Sequence, residues 1–489
     1  MMTDRAHSSD PKKRVLMISY FFPPIGGIGI AGMQRVIKFL AGMQGSDWYP
    51  VVLTVRHDYY EHYFEKDDSY LQRVPSDVTV VRTKVFRALE RFLLWRGRVR
   101  RRIRGTSPVV SSGNGASYVE PSHTAGSSSF QKFKDLLTSI WQIPDPQIVW
   151  LPFALCRGYL DIKSRRIGCI YATGSPWTSL LVGALLKRLT GVPLVLDFRD
   201  PWVTNPYRSH FHPFRKRVEA LLERFVVRRA NIIVANTAEL KQEFMERYGE
   251  LPKGRFHCIY NSLEVSGRRE TCVSGACSEG PYPITLVHSG FLYGLRDPRN
   301  FLQALSQTLL REPEWRDRVR LELVGTTQLS YSLQALLESL KLDDITKVYG
   351  QVSHDSCMEH LRRASVLLLF QPGTGTQIPS KLFEYLPLRK PILAIALPGG
   401  ATSRFVSNES VGLVADCKDV DDIASKLNLI IRRVASGEAS QRESAYDAVL
   451  KRYSVETATG FLLQAFSRAI AARPEARWPA AVRKTDSTS

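Results

Sequence analysis

Three clusters of residues have the types and spacing to act on a phosphorylated ligand. The first is the loop Pro23-Pro24-Ile25-Gly26-Gly27-Ile28-Gly29, between an apolar run and a helical pattern. Consecutive glycines such as Gly26 and Gly27 let the backbone approach a phosphate closely, and the helix start beyond offers unpaired N–H groups to an anion. The second is Gln377–Glu384, preceded by the loop Gly373-Thr374-Gly375-Thr376. Ser380 reads as a helix N-cap and Lys381-Leu382-Phe383 as the first turn, a helix start that can hold a diphosphate by backbone N–H groups and the dipole. Glu384, one turn in, projects a carboxylate able to accept two hydrogen bonds from a ribose diol. The third is Asp197-Phe198-Arg199-Asp200-Pro201-Trp202, a charged cluster just past a buried strand, where it points into a cleft. A structural Arg–Asp pair capping the next segment is the competing reading. Thr173-Gly174-Ser175 ends the preceding strand and is assigned to the acceptor side of the same cleft.

The elements that must position these clusters follow from hydrophobic periodicity. Strands are expected at Val15–Ser19, Val51–Val55, Ile170–Ala172, Leu194–Phe198 and Ile232–Ala235, with helical patterns at Ile30–Met43 and Phe130–Trp141. After the linker-like stretch Glu264–Pro283 the alternation resumes, with strands near Thr285–His288, Arg320–Val324, Lys347–Tyr349, Val366–Phe370 and Ile392–Ile395. This predicts an α/β chain of two Rossmann-like, doubly wound domains facing a central cleft, residues 1–264 and 284–454. A linker spans 265–283, a terminal helix 455–472 and a polar tail 473–489. A Ser/Gly-rich spacer covers 106–128 and is expected to be disordered. Asn261-Ser262 reads as a turn.

Composition narrows the partners. Apolar content of 44% with 23% charged residues is that of a globular protein, and no run reaches a membrane-spanning length. Val15–Phe22 is too short and too quickly followed by prolines to be a signal segment, so it is read as a buried strand of a cytoplasmic protein. The seven cysteines show neither zinc nor redox spacing, and no Asp-x-Asp pair or His/carboxylate cluster suggests a metal. Lys plus Arg exceeds Asp plus Glu by 67 − 47 = 20. From Lys84 to Arg104 nine basic residues and one acid interleave with Phe86, Leu89, Phe92, Leu93, Leu94 and Trp95. Two readings stand: an interfacial helix on anionic lipid, or a solvated basic helix. No nucleic-acid-binding module accompanies the patch. Gly27–Gly32 also fits G-x-G-x-x-G. However, the prolines after the strand and Arg56 at the end of the second strand depart from a dinucleotide site.

Several segments together resemble retaining GT-B glycosyltransferases of glycosyltransferase family 4. They are YFFPPIGGIGIAGMQR (20–35), IPDPQIVWLPFAL (143–155), YATGSPWTSLLVGALLKRLTGVPLVLDFRDPW (171–202), LVHSGFLYGLRDPRNFLQAL (286–305) and IPSKLFEYLPLRKPIL (378–393). The resemblance spans nearly the whole chain in order. It implies a nucleoside diphosphate sugar as donor, a sugar or lipid-linked sugar as acceptor, and no cofactor or metal. The basic amphipathic stretch 84–104, read with that resemblance, suggests a lipid-linked acceptor at the cytoplasmic face of the membrane, as in bacterial surface polysaccharide or glycolipid assembly, and a protein peripheral on that inner face. The resemblance assigns Glu384 to the ribose, Arg296 beside Gly290 to the diphosphate, and Asp200 to the reacting sugars, with Arg199 standing where the family has His. The pattern is incomplete in two places: Thr376 stands where the family has an acid that touches the donor sugar, and Phe291 where it has a second cation. Arg299 is a candidate replacement for that cation. These departures keep a non-catalytic binding protein open as an alternative.

Overall fold

The computed structural model describes residues 13–26, 31–60, 66–86, 142–208, 211–264, 283–438 and 443–472. Gly27, the basic stretch beyond Phe86, the spacer 106–128, the helical pattern Phe130–Trp141, linker residues 265–282 and the tail lie outside them.

The central strands of each sheet are buried on both faces. In β1 (Lys13–Ile18), Leu16 and Ile18 enter one core cluster while Val15 and Met17 enter another, as the two-residue period of a strand requires. Among the described residues, β1 joins β2 (Trp48–Val55), β3 (Thr79–Thr83), β4 (Cys169–Gly174), β5 (Leu194–Phe198), β6 (Ile232–Ala235) and β7 (Phe256–Cys258). They form a parallel sheet ordered β3-β2-β1-β4-β5-β6-β7.

The second sheet has β8 (Ile284–Ser289), β10 (Val319–Val324), β12 (Thr346–Tyr349), β13 (Val366–Gln371), β14 (Ile392–Ala396) and β15 (Gly412–Asp416), ordered β12-β10-β8-β13-β14-β15. Two short strands beside it, β9 (Leu292–Tyr293) and β11 (Thr327–Gln328), pair with each other. β13 sends Val366, Leu368 and Phe370 to one cluster and Leu367 and Leu369 to the other. The order of each sheet reverses beside its first strand, between β1 and β4 and between β8 and β13, which is where open α/β sheets form crevices at the strands' carboxyl ends.

The chain crosses between domains twice, and the crossings run side by side: Leu263 N–H donates to Tyr453 O at 2.9 Å. The first crossing is gripped by the helix Ala31–Gly42. Its Arg35 donates to Ile259 O, Tyr260 O and Asn261 Oδ1 at 2.8, 2.9 and 3.2 Å, and its Lys38 donates to Ser262 O at 2.8 Å. Asn261-Ser262 is therefore part of an extended crossover rather than a turn. The return crossing carries the terminal helix Val455–Ala471 back onto the first domain. There Leu462, Phe466 and Ala469 pack with Val36, Phe39 and Leu40. Among the described residues, no helix is long and apolar enough to cross a membrane.

Candidate active site at the interdomain cleft

The carboxyl ends of the two sheets meet. Gln377 Nε2 donates to Asp200 Oδ1 at 2.5 Å, Thr237 Oγ1 donates to Thr376 O at 2.6 Å, and the Tyr207 and Tyr293 rings stack at 5.9 Å. Between the domains lies a cleft of about 240 Å³, lined by Lys38, Tyr70 and Arg73 from the first and His354, Met358 and Glu384 from the second.

In the second domain the site is organised around the end of β8. Gly290 has φ +128°, a conformation reserved for glycine, and a Cβ there would lie 1.1 Å from Lys381 Nζ. Lys381 and Tyr385 are four residues apart on the helix Ser380–Tyr385 and so share a face. Both reach the same strand end. Lys381 Nζ donates to Ser289 O at 2.6 Å, and the buried Tyr385 hydroxyl contacts the Ser289 N–H and Oγ at 3.2 Å. Arg296 donates to Gln371 Oε1 at 3.2 Å and lies over the Tyr293 ring, while its buried Nε has no partner among the described residues. Neither Arg296 nor Lys381 forms a salt bridge among the described residues; Arg296 bonds to an amide oxygen and Lys381 to a backbone carbonyl.

Electrostatics reports how close these groups are. Burial and the Arg296 charge push the Lys381 ammonium down to about 8, against the opposing pull of Glu384. Burial pushes the neighbouring His288 imidazole down to about 3, with Lys381 and Arg296 adding to it. Glu384 also acts on Lys38 across the cleft, whose ammonium burial pushes down. Arg296, Lys381 and Glu384 are thus one electrostatic unit, open toward the first domain.

That domain presents Asp200. Burial raises its carboxyl above the ordinary range, and Arg199, Gln377 and Arg296 only partly offset this. Arg199 turns inward. Its Nε donates to Gly174 O at 3.1 Å and its Nη2 to Ser175 O, and a Cβ on Gly32 would come within 1.7 Å of its guanidinium. Asp197, fully buried beneath, accepts from Arg35 Nε and Nη2 at 3.0 and 2.9 Å, Tyr171 Oη at 2.6 Å and Thr173 Oγ1 at 2.9 Å. Burial opposes its ionisation, but Arg35 and the two hydroxyls prevail and hold the carboxyl below the usual range.

Several sequence expectations need correction. Thr173 is 2% exposed with its hydroxyl committed to Asp197, so it supports the site floor instead of lining the acceptor side. Gly174 is buried; it and Ser175 contribute carbonyls to Arg199. Pro379, with its extended backbone, occupies the helix cap and Ser380 is the first helical residue, without a side-chain cap. Leu382 is wholly buried and its N–H donates to Pro379 O at 3.0 Å, which leaves neither side chain nor N–H for a ligand. Arg299 is exposed and stacks over Tyr331 at 4.3 Å, so the second cation at Gly290 is Lys381. Phe291 stacks on Tyr293 at 4.5 Å. Gly26 is buried at the end of the β1 loop. Lys381, expected among the donor-binding residues, is brought to Gly290 by the fold, whereas no role for Arg35, Gln371 or Gln377 is legible in the sequence. Arg35, Gln371 and Gln377 meet Asp197, Arg296 and Asp200 across 162, 75 and 177 residues of chain, beyond any local signal.

Two Rossmann-like domains with an anion-receptive cleft between their carboxyl ends define the GT-B class of protein. Residues 31–262 match the glycosyl transferase 4-like domain and residues 284–445 the glycosyl transferases group 1 model, so the chain belongs to the group 1 glycosyltransferase family. It is 24% identical over 279 residues to the D-inositol 3-phosphate glycosyltransferase of Geodermatophilus obscurus, covering 55% of this chain and 61% of that protein. To the protein of the same name from a Nocardioides species it is 27% identical over 288 residues, covering 54% and 61%. The matches thus span under two thirds of the relatives' length.

Among solved structures, a sucrose-phosphate synthase from Thermosynechococcus elongatus superposes with a TM-score of 0.58 at 13% identity, covering 94% of this chain and 100% of that one. WaaG, a glycosyltransferase involved in lipopolysaccharide biosynthesis, gives 0.52 at 12% identity, covering 93% and 99%. These likenesses are of fold.

Proposed function

We propose that the chain transfers a sugar from a nucleoside diphosphate sugar to an acceptor hydroxyl, with retained anomeric configuration. The observation that carries this reading is the pair Arg296 and Lys381 at Gly290, two cations without a carboxylate partner among the described residues. Such a pair suits a diphosphate, with Glu384 one helical turn from Lys381 to take the ribose diol. As the bond from the anomeric carbon to the diphosphate oxygen breaks, both electrons pass to that oxygen, and Arg296 and Lys381 stabilise the charge. The acceptor hydroxyl attacks from the same face and its proton passes to the leaving phosphate. Asp200, with Gln377 displaced from it, meets the sugars at the opposite wall. Gly26, with Gly27 beside it in sequence, offers backbone N–H groups to the phosphates.

No metal is needed where two cations neutralise the leaving group. Among the described residues, no group of three His, Cys, Asp or Glu could hold one. Activity unchanged by chelator is expected.

The acceptor is a sugar or lipid-linked sugar met at the inner membrane face, in surface polysaccharide or glycolipid assembly; the net charge of +20 favours such an anionic surface. The test is a thermal-shift screen against nucleoside diphosphates, followed by release of nucleoside diphosphate from the matching sugar nucleotides with sugar, lipid-linked and inositol phosphate acceptors. Binding without release under every acceptor would identify a non-catalytic protein. Absence of any nucleotide effect would remove the proposal.

A further inference from the structure

The solvent-facing side of the helix Leu151–Arg165 carries Phe153, Cys156, Tyr159 and Leu160 alongside Arg157, Lys163 and Ser164. Its buried side holds Ala154, Gly158, Asp161 and Ile162 against the first sheet and the helix Thr178–Thr190. On the opposite side Phe153, Cys156 and Leu160 fall at helical spacing, with Phe153 37% and Leu160 54% exposed. The row continues through Val149, 38% exposed, to Phe86, 53% exposed, whose N–H donates to Val149 O at 3.0 Å. Phe153, Tyr159 and Leu160 give the outer face more large apolar surface than an ordinary surface helix shows. The helix's only acid, Asp161, is buried and accepts from Arg157 and Arg165, so no carboxylate reaches the outer face. Exposed cations lie near the row: Lys84, Arg166, and Lys163 lying 5.9 Å over Tyr159, while Arg157 is paired with Asp161.

We propose that this face docks onto an anionic lipid bilayer, with the row Phe86–Val149–Phe153–Leu160 entering the headgroup region and the flanking cations meeting lipid phosphates. Charge selects the occupant. The chain leaves the described residues at Phe86, and its sequence from Lys84 to Arg104 has nine basic residues against one acid. That excess is complementary to anionic lipid and repels a second copy of a chain carrying +20.

Topology adds the orientation. Phe86 follows the carboxyl end of β3, and Val149 precedes a helix running back toward β4, so the row begins at the edge of the sheet end that bears Asp200. A bilayer on this face lies beside the cleft mouth, where a lipid-borne acceptor would be presented. This orientation rests on the proposed acceptor; the docking itself does not.

Co-sedimentation of the full chain with vesicles of phosphatidylglycerol and phosphatidylcholine, against phosphatidylcholine alone, tests it. Binding to the anionic vesicles only, weakened by salt, is expected. The double variant Phe153→Ser, Leu160→Ser should bind about tenfold more weakly or worse. Both side chains are exposed, so an unchanged melting temperature checks the fold of the variant. Lack of binding by the wild-type chain overturns the proposal, as does a variant that binds equally well. A wild-type dimer that the variant converts to monomer in light scattering also overturns it, since a second copy would then cover the face. Failure of the transferase reading would show separately, as no nucleotide-induced thermal shift in either protein.

Discussion

At Lys381 two effects oppose each other. In the empty site the ammonium is disfavoured by burial and by Arg296; the fall from an ordinary 10.5 to about 8 corresponds to about 3 kcal/mol against the charged form. A diphosphate beside it reverses that balance, because the charged form then gains a charge-assisted hydrogen bond. Donor binding should therefore take up a proton between about pH 7.5 and 9, and affinity should fall about tenfold from pH 7 to 9 as the unliganded amine loses its charge. Stability of the unliganded chain moves the other way. A base with a depressed folded value binds fewer protons folded than unfolded between about 8 and 10.5, so this group's contribution rises with pH in that window.

The other groups facing Lys381 do not mimic the effect. Burial raises the Cys357 thiol, and the His288 imidazole is down to about 3. Calorimetry of donor binding in buffers of differing ionisation enthalpy measures the proton, and the pH series measures the affinity. Lys381→Met should bind about 10- to 100-fold more weakly with a flat profile, the loss expected for one charge-assisted hydrogen bond. A wild-type affinity that is flat with pH and carries no proton uptake refutes the reasoning.

Other substitutions probe the remaining parts. Arg296→Ala should lower kcat/KM by about 2–4 kcal/mol of transition-state stabilisation, read in steady-state kinetics. Glu384→Ala should weaken nucleotide binding most. Normal donor affinity and turnover in that variant would count against its ribose role. Gly290→Ala should fold at a cost of about 1–3 kcal/mol from its strained φ, and it should displace Lys381 and weaken diphosphate binding in the same thermal-shift assay. Asp197→Asn should cost about 3–5 kcal/mol in denaturant unfolding, because Arg35 is left buried without its counter-charge. The wild-type contribution from Asp197 is present at neutral pH and is lost only as pH falls through its depressed folded value.

Much of the architecture is local and was legible. Strands buried on both faces announce themselves as apolar runs, and β1, β5, β6, β8, β10, β13 and β14 fall within a residue or two of where the runs place them. β3, β7 and β15 carry weaker patterns because they lie at or near sheet edges, where one side needs less apolar cover. The helix Ser380–Tyr385 was legible as a helix start. Its cap was placed one residue late, since a proline with extended backbone takes that position without any side-chain bond.

By itself the sequence determined the alternation of strand and helix, hence two doubly wound domains, the strand ends that bear Asp200 and Gly290, and the helix start that bears Glu384. Period and burial are properties of neighbouring residues and survive without tertiary information. Only the tertiary structure decided which charges meet. It sent Arg35 to Asp197 and Gln377 to Asp200, withdrew Thr173 and Leu382 into the interior, and carried Lys381 back beneath Gly290. The physical reason is that a long side chain finds its partner through space. Its reach is set by the packing of elements far apart in the chain.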